Sequence, residues 1–346
     1  MSSAGTRWRR RSVVGALAAT AMVLASCGDD DGGSAADVTE AQPPAGSEAS
    51  AVAGAAPTVA NGTDGTDAPT PATEPTGDGA VAAGADIPER IISLSPTHTE
   101  MMFAIGAEDL LVAVDDQSDH PAEALDLPHD LSGFEPNVES IVGYEPDLVL
   151  MGGDFTGLGE QLDALGIAWW DGPAALTLDD TYAQIEALGE LTGRTSEAAE
   201  VVASMRTDID EILAGTPRLD PPLEAYHEID PSLYSADSTT FIGALYGMVG
   251  LRNVADRAEG DSGGYPQLNA EFIVSADPDL IFLADTGCCG ENAETVAVRP
   301  GWDVITAVRD GGVVEMDDDI ASRWGPRVVD YLRAVSDAVQ AAAQPA

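Results

Sequence analysis

Cys288-Cys289-Gly290 places two adjacent thiols just beyond Asp279–Leu283, an apolar run that reads as a buried strand. In an oxidising compartment such a pair can close a strained vicinal disulfide, stay reduced, or touch a metal; its spacing matches no standard zinc pattern. His98, His120 or His227, with nearby aspartates, are the residues an exported metal-dependent hydrolase would use. No metal-ligand motif, nucleophile elbow or phosphate-binding glycine loop accompanies them, so no catalytic residue, enzymatic activity or cofactor is expected. Asp317-Asp318-Asp319, at another strand end, reads as a solvated charge cluster, with calcium the ion it would suit. Two further carboxylates, Glu139 and Glu271, stand out by position.

They occupy equivalent places in an internal repeat. The fourteen residues Asn137–Leu150 align without gaps to Asn269–Phe282 at an offset of 132, and seven positions are identical: Asn, Glu, Ile, Val, Pro, Asp and Leu. Each copy reads as a short helix that breaks at Pro and enters a buried strand, so two related lobes follow, too widely spaced for a solenoid. Arg90–Leu94, Leu111–Asp115, Asp147–Met151 and Ile167–Trp170 read as strands of the first lobe. Leu223–Ile229, Asp279–Leu283 and Gly312–Met316 repeat the theme in the second. Helical patterns at His98–Ile105, Leu158–Leu165, Thr240–Val249 and Pro326–Val339 alternate with them, which predicts an α/β fold with mainly parallel sheets. Thr195–Ala214, with Thr195 as N-cap and an apolar stripe from Val201 to Leu213, reads as one helix of roughly 30 Å, long enough to join the lobes rigidly.

The start of the chain carries a different signal. Arg7, Arg9, Arg10 and Arg11 precede an apolar run, Val13–Leu24, which ends in Leu24-Ala25-Ser26-Cys27. This is the grammar of a secretory signal, and the run is too short to span a bilayer with ease. Its ending resembles a bacterial lipobox, which makes Cys27 the expected lipidated anchor; the arginines match a twin-arginine export signal only in part. From Gly28 to Asp86 large apolar residues are almost absent, and such a stretch cannot offset its ordering entropy. A flexible tether of that length spans on the order of 45 Å. The expected organisation is therefore a signal segment over 1–27, a tether over 28–86, a first lobe over 87–193, a linking helix over 194–215 and a second lobe over 216–346. Eleven arginines and sixty acids follow Cys27, a formal charge of −49 against −45 for the whole chain, which excludes nucleic acid as a partner.

Taken together, Arg90–Gly106, the two repeat units, Gly264-Tyr265-Pro266-Gln267-Leu268 and Arg323-Trp324-Gly325-Pro326-Arg327 resemble the solute-binding proteins of the cobalamin and ferric-siderophore ABC importers. The likeness covers nearly all of 87–339, and it implies two lobes joined by one long helix with a ligand cleft between them. It also implies that Glu139 and Glu271 dock onto permease arginines, a contact that carboxylates suit through forked hydrogen bonding. By alignment with the cobalamin-binding members, Gln117, Phe134 and Gly152 fall where aromatic residues line the cleft, and only Phe134 keeps an aromatic ring. His227, Tyr265, Arg323 and Trp324 take the corresponding places in the second lobe. Glu100 stands in capping-box spacing with Thr97 and is expected to be structural.

The expectation is thus a monomeric, membrane-anchored, extracytoplasmic binding protein for a metal chelate, a corrinoid in preference to a ferric siderophore or haem, that serves an ABC importer permease. Arg323 is the clearest cation near the cleft, whereas an anionic catecholate siderophore would need several. The competing classes are the exported hydrolase and a lipoprotein that kept the fold and lost transport.

Overall fold

The computed structural model describes residues 87–260 and 262–344, so the signal, Cys27 and the tether fall outside the described residues. Two four-stranded parallel sheets form the core, of order β2-β1-β3-β4 and β6-β5-β7-β8. The first comprises β1 (Ile91–Leu94), β2 (Leu111–Val114), β3 (Leu148–Met151) and β4 (Ala168–Asp171). The second comprises β5 (Glu224–Glu228), β6 (Arg252–Asn253), β7 (Leu280–Leu283) and β8 (Val313–Glu315). The central strands β1, β3 and β7 are buried along their whole length, as sheets covered on both faces require. β6 has two residues and no apolar run, and for that reason it is not legible in the sequence.

Helices fill the connections: α1 (Pro96–Ala104), α2 (Val138–Gly143), α3 (Leu158–Leu165) and α4 (Leu178–Thr192), then α5 (Thr195–Gly215) and α6 (Phe241–Met248). They continue with α7 (Ala270–Ala276), α8 (Thr286–Cys289), α9 (Ala293–Ala297), α10 (Thr306–Asp310), α11 (Asp318–Ser322) and α12 (Val328–Ala342). The 21-residue α5 leads from one sheet to the other, and Ala198, Val202, Met205, Ile209 and Ile212 form its buried stripe. Its N-cap is Arg194 rather than Thr195, which lies one position inside the helix, and no side chain caps it.

The repeat acts at the same point in both sheets. Asn137 and Asn269 cap α2 and α7, each side chain accepting from the backbone N–H three residues on, at 3.0 and 2.9 Å. The Pro-Asp within each unit then clips its helix to the central strand of its sheet: the N–H groups of Asp147 and Asp279 donate to the carbonyls of Arg90 and Glu224, each at 2.9 Å. Their carboxylates accept from backbone N–H groups at the same strand starts. Glu139 and Glu271 lie in the first turns of α2 and α7 and are exposed.

Candidate functional site

In a parallel sheet the loops beyond the carboxyl ends of the strands are the places for a site. Here the loops of the two sheets meet around one buried carboxylate. Glu100, on α1, is only 4 % exposed and faces two arginines from the second lobe. Arg327 forks onto it, Nε to Oε2 at 2.9 Å and Nη2 to Oε1 at 2.6 Å. Arg323, 7 % exposed, donates to Glu100 at 2.9 Å, to Asp119 at 3.0 Å, to the Gln117 carbonyl at 3.0 Å and to Asp319 at 2.6 Å. Burial opposes the charge on each guanidinium, but the hydrogen bonds of Glu100 and the nearby carboxylates outweigh it and raise both above the ordinary arginine value. Gly325 lies between the two arginines, and a Cβ there would meet Glu100 Oε2 at 3.4 Å, an ordinary van der Waals contact.

Trp324, next in the chain, completes this clamp. Its indole N–H and His98 Nε2 converge on Gln184 Oε1 of α4, at 2.9 and 3.1 Å, and the Gln184 amide donates to the Pro173 carbonyl at 2.7 Å. His98 stands edge-on to Trp170 and Trp324, with centroids 5.0 and 6.2 Å away. Gln184 Oε1 can only accept, so Nε2 carries the imidazole proton, and Nδ1 is buried without a partner. Burial pushes the His98 pKa down to about 4, and the ring is held neutral. Beneath the clamp, Thr99, Ser93, Ser118 and Asp115 form a buried chain of hydroxyl bonds that ends at Asp115. Burial raises the Asp115 pKa to about 6, against the opposing hydrogen bond from Ser118.

Several expectations change accordingly. Both Nη atoms of Arg323 are held by protein acceptors and the Trp324 indole N–H is held by Gln184, so these groups are not free donors, while the Trp324 ring stays partly exposed. His227 lies inside β5, 2 % exposed, with Nδ1 2.7 Å from the Tyr246 hydroxyl, and it reaches no surface. Glu100 and Thr97 form no capping box: Ser95 is the N-cap of α1, and the arginines hold the Glu100 carboxylate. The Asp317–Asp319 run is no merely solvated cluster, because Asp317 caps α11, Asp318 accepts from backbone amides of α8, and Asp319 pairs with Arg323. Gln117 enters the clamp through its backbone carbonyl while its side chain is exposed, and Gly152 is partly exposed beside Ser95.

What the strand-end loops leave open is aromatic. Among the described residues the exposed aromatic side chains are Phe134 (80 %), Phe155 (88 %), Tyr234 (40 %) and Tyr265 (52 %). Phe134 lies in the loop beyond β2, Phe155 follows β3, Tyr234 follows β5, and Tyr265 lies in the segment that pairs with Tyr234's through the Tyr234–Gln267 bridge. Phe155 and Tyr234 were not singled out from the sequence, although each sits a few residues past a strand end, which is the signal that would have found them. Deeper in the second lobe, Glu228 accepts a bidentate pair from Arg299, which also reaches Glu291 at 2.7 Å. Asp285, fully buried beside them, has no partner for either carboxylate oxygen. Burial, then the charges of Glu228 and Glu291, raises its pKa to about 7.

A fold of two parallel sheets bridged by a long helix, with loops of both facing each other at the strand ends, defines a two-lobed solute-binding architecture. The family model described as periplasmic binding protein matches residues 91–320, and the chain belongs to that family. It is 31% identical over 279 residues to a cobalamin-binding protein of Halobacterium salinarum, covering 78% of this chain and 74% of that protein. It is 29% identical over 262 residues to an uncharacterised ABC transporter substrate-binding lipoprotein of Bacillus subtilis, covering 73% and 80%. Among solved structures, the periplasmic vitamin B12 binding protein of Vibrio cholerae superposes with a TM-score of 0.63 at 25% identity, over 75% of this chain and 99% of that one. The chain is thus a substrate-binding protein of the ABC importer type, of an extracytoplasmic class.

Glu100→Ala leaves two mostly buried guanidinium groups without their shared partner, which should destabilise the fold by about 3–5 kcal/mol. Urea unfolding of the variant against wild type measures it; a loss below about 1 kcal/mol would show that solvent or Asp319 replaces Glu100.

The low pKa of His98 has its own signature. Its contribution to stability is complete above the unfolded value near 6.5 and is lost as pH falls through that value towards 4. His98→Gln, which cannot protonate, should therefore cost stability at pH 7 and progressively less towards pH 4.5. Paired denaturation curves at the two pH values check this, and an unchanged difference would contradict it.

Proposed function

We propose that this protein is a membrane-anchored lipoprotein that captures a corrinoid and delivers it, without catalysis, to an ABC importer permease. The carrying observation is the set of four exposed aromatic rings, two from each lobe, on loops at the strand ends. Exposed aromatic rings on strand-end loops suit a ligand surface. A corrin offers large apolar edges for such rings and amides around its rim for backbone and hydroxyl partners. The absence of a free cation from Arg323, now committed to Glu100, further disfavours a polyanionic siderophore. The names of the Halobacterium and Vibrio relatives point the same way. Cys27 is the lipidated residue in this reading, and Glu139 and Glu271, exposed at equivalent places on the two lobes, are the permease contacts.

Titration calorimetry with cyanocobalamin tests the ligand. Phe155→Ala or Tyr265→Ala should weaken binding by roughly 1–3 kcal/mol, a five- to hundred-fold change. Tight binding of a ferric siderophore or haem, with no heat from any corrinoid, would overturn the corrinoid assignment.

The docking role is separable from the ligand. Changing Glu139 and Glu271 together to Ala should abolish uptake in cells while leaving soluble affinity within about twofold, since both lie outside the aromatic loops. A large loss of affinity in the isolated double variant would place them in the binding surface instead.

A further inference from the structure

Cys288 and Cys289 are both exposed thiols on the single turn of α8, directly beyond the carboxyl end of β7. Neighbouring Cα atoms across a trans peptide lie about 3.8 Å apart, below the roughly 4.4–6.8 Å that a relaxed disulfide spans. A bond between them is therefore strained, and strained, exposed disulfides are the easily reduced, regulatory kind. Closing the ring also requires the backbone of α8 to leave its helical turn. That turn is held by Cys289 N–H donating to the Asp285 carbonyl at 3.2 Å.

The same turn is fastened to the clamp. Asp318 accepts from the backbone N–H of Gly287 at 3.0 Å, from that of Cys288 at 2.7 Å and from the Thr286 hydroxyl at 3.0 Å. Asp318 is the first residue of α11, and the next residue, Asp319, holds Arg323 at 2.6 Å while Arg323 reaches Glu100 in the other lobe. From the thiols to the interlobe ion pair, every step is a hydrogen bond or one turn of helix.

We propose that Cys288 and Cys289 form a thiol–disulfide exchange site for a low-molecular-weight disulfide, and that their oxidation releases α8 from Asp318 and loosens α11 and the Arg323 clamp. One cysteine thiolate attacks the oxidant, forming a mixed disulfide and expelling one thiolate. The other cysteine then attacks the protein sulfur of that mixed disulfide and expels the second. Two electrons pass from the cysteine pair to the oxidant, and the two protons leave with its two product thiols. This site is independent of which solute the protein carries.

The test uses the full chain with Cys27→Ser, so that only these two thiols react, treated with oxidised glutathione. Intact-mass measurement should show the loss of two hydrogen atoms with no glutathione retained, reversed by dithiothreitol. Hydrogen exchange without any solute should show the amides of Gly287, Cys288 and Asp319–Ser322 speeding up on the order of tenfold in the oxidised form. The Cys288→Ser/Cys289→Ser variant should show no response to the oxidant. Retained glutathione without ring closure would overturn the exchange site. Ring closure with unchanged exchange in α11 would overturn its coupling to the clamp.

Discussion

A carboxylate buried at a lobe boundary cannot be left alone, because an unpaired charge in that environment costs several kcal/mol. Glu100 meets this constraint with two arginines that reach it from the other lobe, and much of the interlobe arrangement follows. The Arg323–Arg327 segment must come down onto α1, and Trp324 must find a place between His98 and Gln184. Replacing such a pair with apolar groups is often as stable, so its value here is specificity: it accepts one register of the two lobes.

The same logic accounts for how a strongly acidic chain uses few cations. Among the described residues, Arg323 and Arg327 serve Glu100, and Arg299 serves Glu228 and Glu291. Other arginines pair with exposed carboxylates, as Arg194 does with Asp109 and Arg206 with Asp179, and the strand-end loops carry exposed aromatic rings. Asp285 is a buried carboxylate with no partner for either oxygen, and its raised pKa follows directly.

The two lobes also show how one short unit builds a sheet twice. In each copy an Asn cap starts a helix, a residue of positive φ, Glu145 at 49° or Asp277 at 48°, turns the chain before Pro, and an Asp fastens the turn to the central strand. The result is the same 2-1-3-4 strand order in both sheets. Glu139 and Glu271 are carried to matching places on the two lobes by that geometry.

The sequence by itself determined what rests on local periodicity and on the repeat. Seven of the eight strands, the parallel α/β class and the long α5 were legible because apolar alternation, caps and helix breakers act over a few residues. Phe134 and Tyr265 were reached through the family resemblance, and both are exposed on loops here. Only the tertiary structure decided what Arg323 and Trp324 do, since Glu100 lies 223 residues from Arg323 and Gln184 lies 140 from Trp324. A side chain's type shows what it can bond to; which acceptor reaches it first is set by the packing of the two lobes. For His227 that packing left a neutral ring bonded to Tyr246 inside a strand, where the family resemblance had implied a place in the cleft.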